Sequence, residues 1–126
     1  MDFLEKKHYK LGQINPSTIY KSFSPLIMRG EEVLSAYQTY EDYVVFTNRR
    51  IITIIQEHND EIKTTFSTLP YSRILYFSIE SVDLLETSCI LNLYFYELGN
   101  VEYEFNGCHN MAKISHVIGA NIFNFN

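Results

Sequence analysis

The sequence predicts a mainly β domain in which seven short antiparallel strands follow an N-terminal helix and are closed by a C-terminal one. Three observations carry this. The chain holds ten Tyr and nine Phe but no Trp, and aromatic side chains pack well on a pleated surface. Between Glu31 and Phe105, apolar residues fall into short strand-like runs, several of them alternating, with polar, Pro or Gly breaks between them. After "NGCHN" the period becomes helical, with Met111, Ile114, Ile118 and Ile122 on one stripe. Such elements bury their apolar faces as a strongly bent sheet or barrel plugged by the last helix.

Each element has its own signal. Asn15-Pro16 reads as an N-cap and first helical position, because proline lacks an amide hydrogen that this site leaves unpaired anyway. Ser24-Pro25 repeats the signal and Gly30 offers a left-handed stop, so a kinked or two-piece helix is expected from about 16 to 29. The strands follow as "EVLSAYQ", "YVVFT", "IITIIQ", "KTTFSTL", "ILYFSIE", "SCILNLYFY" and "VEYEF". Asn48-Arg49 is the expected two-residue turn between the second and third, and "PYSR" breaks the fourth from the fifth because proline cannot donate to a ladder.

At 126 residues the chain fits one domain that buries about two-thirds of its unfolded surface. Residues 1–13 are expected as a tail and 14–126 as a single domain. Cys89 and Cys108 fall short of a disulfide framework and are expected as free thiols in a reducing compartment. No run of 18 apolar residues or secretory leader is evident, so a cytoplasmic protein is expected. A net charge of −5 repels nucleic acid and anionic lipid.

The segments "VVFTNRRIITI", "STLPYSRILYFSIES", "SPLIMRGEEV" and "YEFN", in this order, resemble the bacterial pleckstrin-homology-like domain family over about residues 14 to 123. The resemblance implies a PH-like barrel of two near-orthogonal sheets capped by the C-terminal helix, often assembled into ring-shaped homo-oligomers. It carries over no catalytic residue. "EHNDEIK" departs from the family where glycines usually shape a hairpin, and "LLETSCILNLYFY" replaces an acidic-apolar strand entry.

In that architecture the loops near 40–42, 56–62 and 97–100 share one open end. They hold Glu41, Asp42, Glu57, Asp60, Glu61 and Glu97 and no Lys or Arg. This acidic rim is either a solvated surface or a docking site for a basic partner, and its sign is wrong for a lipid headgroup. Arg49, Arg50 and Arg73 are placed at the opposite end with Asp83 and Glu86. There they form ion pairs within a hairpin or, as the sharper alternative, a phosphate or acidic-peptide pocket. They are too few for a nucleic-acid footprint.

Other constellations are weaker. His8, His58, His109 and His116 are scattered, and His109 with His116 lacks a third ligand, so no metal site is expected. Glu102 and Glu104 share the solvent face of a strand instead of forming a buried dyad. Cys89 reads as a small core residue. The expectation is therefore a non-enzymatic module without a cofactor that works by protein–protein contact, including homo-oligomeric assembly. The alternative is peripheral membrane or anion binding through the arginine end.

Overall fold

The computed structural model describes residues 8–81 and 88–123. Its strands are β1 (His8–Ile14), β2 (Val33–Thr39), β3 (Asp42–Thr47), β4 (Arg50–His58), β5 (Ile62–Pro70), β6 (Ile74–Ser81), β7 (Cys89–Phe95) and β8 (Gly99–Phe105). Helix α1 (Tyr20–Phe23) lies between two 3-10 turns at Pro16–Thr18 and Ser24–Leu26, and helix α2 (Met111–Ile122) closes the chain. The mainly β fold follows the sequence reading, and the N-terminal helix is broken as expected, though into three short pieces. The helical segment ends at Leu26, and Gly30 takes the left-handed conformation, φ 82°.

The strand order is β5-β4-β3-β2-β1-β8-β7-β6. The eight strands differ from the seven read from sequence because "HYKLGQI", largely placed in the tail, is itself a strand. Tyr9 and Leu11 are buried while His8 and Lys10 face out, the period of a half-buried strand. β1 pairs antiparallel with β2 through Gly12–Ile14 and parallel with β8 through His8–Leu11. It thus joins the β2–β5 hairpins to the β6–β8 meander in one curled sheet.

Two apolar layers result. Inside the curl, Tyr9, Phe46, Tyr71, Leu91, Leu93 and Tyr103 pack with Met111, Ile114 and Ile118 of α2. Phe46 meets Tyr103 edge-on at 5.5 Å between ring centroids, and Tyr37 meets Phe105 at 5.1 Å, separations that favour aromatic pairs. Outside it, Ile19 and Phe23 of the helical segment, with Ile27 just after it, cover Ala36, Val45, Ile52 and Ile54 of β2 to β4. Asn15 caps that segment, its Oδ1 accepting from Ser17 N at 3.0 Å.

The cysteines are not free thiols. Cys89 and Cys108 form a disulfide with Cα atoms 5.5 Å apart, a spacing such a bond requires. Cys89 pairs with Phe105 across β7 and β8. Gly107, at φ 110°, then turns the chain so that Cys108 returns to its neighbour three residues after that pair.

Candidate interaction surfaces

Arg49 and Asn48 occupy the turn between β3 and β4, as the sequence indicates, but the turn is held by a side chain. Thr47 Oγ1 accepts from the backbone N–H groups of Arg49 and Arg50, both at 3.0 Å. Asn48 Oδ1 accepts from Glu32 N at 2.9 Å and its Nδ2 donates to Gly30 O at 3.3 Å. Neither turn residue takes positive φ, so the arginine is accommodated without backbone strain.

Arg50 is committed to the fold. Its Nε donates to Glu31 Oε2 at 2.9 Å and its Nη2 to Glu31 Oε1 at 3.0 Å, a two-point fork. Nη2 also reaches Leu26 O at 2.5 Å. Thr47 Oγ1 and Met28 N donate to the same carboxylate, whose side chain is wholly buried. Burial alone pushes the Glu31 carboxyl up; the hydrogen bonds from Arg50, Met28 and Thr47 and the arginine charge outweigh it and leave it below its ordinary value. Tyr71 adds to the knot, its OH donating to Thr47 O at 2.7 Å and its N–H to Arg49 O at 3.2 Å. Arg49 and Arg73 remain exposed beside it. The acids expected there, Asp83 and Glu86, lie outside the described residues, and the acid that engages Arg50 is Glu31.

Of the acidic residues, Asp42 is buried at 7% exposure and accepts from Gln56 N at 3.2 Å, so it ties β3 to β4. Glu41 lies 3.7 Å from His58 across the neighbouring turn. Glu57, Asp60 and Glu61 line one open hollow at the β4–β5 turn. Glu97 is exposed in the separate turn between β7 and β8. His8 is clasped by Glu102 at 2.9 Å and Glu104 at 3.5 Å, fastening β1 to β8. His109 bonds Gln13 at 2.5 Å. No group of three metal-ligating side chains occurs among the described residues, and no helix among them is long and apolar enough to cross a membrane.

One surface has no counterpart in the sequence reading. Tyr76 and Tyr94 pair across β6 and β7 and stack outside the sheet, centroids 5.0 Å apart and planes 8° from parallel. Tyr76 is 61% exposed and neighbouring Tyr96 76%. β6 is an end strand in the sheet order, so one side of its backbone faces away from β7. Alternation separates these tyrosines from the buried Leu91, Leu93 and Phe95; the signal was in the register.

The sequence model of the bacterial PH domain matches residues 2–122. The chain belongs to that family. The uncharacterized protein YjqA of Bacillus subtilis strain 168 is 24% identical over 122 residues, covering 95% of this chain and 98% of its own. A DUF1696-family protein with a pleckstrin-homology domain from Shewanella loihica superposes with a TM-score of 0.68 at 21% identity, covering 88% of this chain and 96% of that one. A pleckstrin-homology domain from Shewanella amazonensis gives 0.53 at 22%, with 83% and 86% covered. In this bacterial PH domain, "FTNRR", "SPLIMRGEE" and "LPYSRI" converge on the Glu31–Arg50 knot. These three segments close this end of the fold.

Proposed function

We propose that this PH domain is a non-enzymatic binding module that acts by protein–protein contact, its own copies included. The observation that carries the reading is the exposed stack of Tyr76 and Tyr94 across β6 and β7, with the exposed Tyr96 two residues along the chain, at an edge that no other strand covers among the described residues. Tyrosine supplies large contact area at low entropic cost, and an unpaired strand edge offers main-chain hydrogen bonds to a partner. Leu75 and Ile79, 49% and 40% exposed, extend the apolar character of that strand. No convergent set of nucleophile, base and oxyanion donors stands against this among the described residues.

The anion-binding alternative loses its strongest member, because Arg50 already forks Glu31 and the exposed Arg49 and Arg73 remain without it. Light scattering at high micromolar concentration tests the main reading: wild-type protein is expected above its 14.8 kDa monomer mass, and Tyr76→Glu with Tyr94→Glu at the monomer. A monomeric wild type at those concentrations overturns self-association. Sedimentation with anionic vesicles, falling on Arg49→Glu and Arg73→Glu, would favour the alternative.

A further inference from the structure

The opposite edge of the sheet, β5, borders a different surface. Phe66 and Thr64 pair with Ile54 and Gln56, so they share the outer face on which Ile54 meets the helical segment. That segment covers β2 to β4 and leaves Phe66 39% exposed. Between them lies a hollow of about 620 Å3, walled by Ser17, Ile19 and Ser22 and floored by Tyr43, Ile54 and Phe66, with Lys21 on the helical side. A second hollow, about 630 Å3 and lined by Glu57, Asp60 and Glu61, shares Thr64 with it. A seat with an apolar floor and a net-acidic seat therefore lie in series along one strand whose outer edge no other strand covers among the described residues. Lys63, in register with Glu57, lines the second hollow as well, so three carboxylates face one ammonium there and the seat stays net acidic.

We propose that β5 accepts an extended peptide segment of a protein partner as an added antiparallel strand. An apolar side chain of that segment rests on Phe66, and Lys or Arg side chains follow two and four residues later, towards Asp60 and Glu61. Side chains on one face of a strand recur every second residue, about 7 Å apart, so alternate positions of the peptide meet the two hollows in turn. Antiparallel addition runs the peptide against β5, which places its basic residues C-terminal to the apolar anchor. Main-chain pairing supplies affinity, and the acidic seat selects against acidic segments. The inference deepens the binding-module reading but uses the edge opposite the tyrosine stack.

The test is fluorescence anisotropy with the labelled peptide Thr-Phe-Thr-Lys-Thr-Lys-Thr on the full chain. Saturable binding is expected, weakened about ten-fold or more by Phe66→Glu and by the pair Asp60→Lys with Glu61→Lys. The sequence-reversed peptide is expected to bind more weakly. Of two peptides N-methylated at alternate amides, only the one blocked on the β5-facing side should lose affinity, a result that needs no protein variant. Tyr76→Glu is expected to leave peptide binding intact, so failure of self-association and failure of this site are scored separately. Absence of saturable binding, equal affinity for the Phe66→Glu protein, or equal affinity for the reversed peptide overturns the proposal.

Discussion

Among the three arginines that stand out in the sequence, partners decide the role of each. Arg50 neutralises a carboxylate that the fold has removed from water, whereas Arg49 and Arg73 project into it. Breaking a buried pair by deleting one member leaves an uncompensated charge and costs about 3 kcal/mol or more. Chemical denaturation is therefore expected to show Arg50→Met destabilised by about that amount, with Arg49→Gln and Arg73→Gln within about 0.5 kcal/mol of wild type. Equal effects at all three would contradict the assignment. The Glu31 pair also sets an acid limit. Its folded carboxyl is depressed, so its contribution is full above the unfolded glutamate value near 4.3. As pH falls below that value the unfolded state takes up the proton first, and the contribution is gone once pH passes the folded value. Glu31→Gln should flatten that part of the stability–pH curve, measured by urea midpoints between roughly pH 6 and 3.

At the scale of elements, period-2 patterning and turn chemistry made most strands legible, and the Asn15 cap and the left-handed Gly30 were readable because each depends on a local backbone requirement, although the helical segment stops at Leu26, before that glycine. The first strand was not. "HYKLGQI" is short, carries charged residues on its outer face and finds its partners in β2 and in β8 ninety-odd residues away. The disulfide was hidden for the same reason: Cys89 and Cys108 meet only through the β7–β8 pairing and the turn at Gly107. Closing a segment with a sequence separation of 19 stabilises by about 3 kcal/mol in the chain-entropy account. The paired Cys89→Ser and Cys108→Ser variant is expected to lose about that much, with the loss read as a lower urea midpoint. A wild type that alkylates at both thiols without reductant would contradict the bond. Of the candidate sites, the charges were legible but their burial was not. Asp42 and Glu31 differ from their exposed neighbours only through tertiary contacts.

For the whole molecule, the curled sheet buries tyrosines as well as aliphatics. Burial raises the hydroxyls of Tyr9, Tyr37, Tyr71 and Tyr103 above their ordinary value. A raised folded value means stability that is present below the unfolded tyrosine value near 10 and lost as pH rises beyond it. Tyrosinate absorbance from these four is expected to appear together with loss of near-ultraviolet circular dichroism above about pH 10. Their gradual ionisation in a still-folded protein would contradict the packing. The same architecture divides labour between its ends and edges. The Glu31–Arg50 knot closes one end, and α2 fills the interior. Among the described residues no strand covers the outer side of β5 or β6, one beside a mixed apolar and acidic groove and one beside stacked tyrosines.

The assignment of binding to strand edges, and of the arginine end to structure, is tested most directly by mapping amide chemical shifts of labelled protein as its concentration rises. Shifts concentrated at Ile74–Ile79 and at Tyr94 and Tyr96 are the predicted result. Shifts centred on Arg49 and Arg73, or spectra that do not change with concentration, would contradict it.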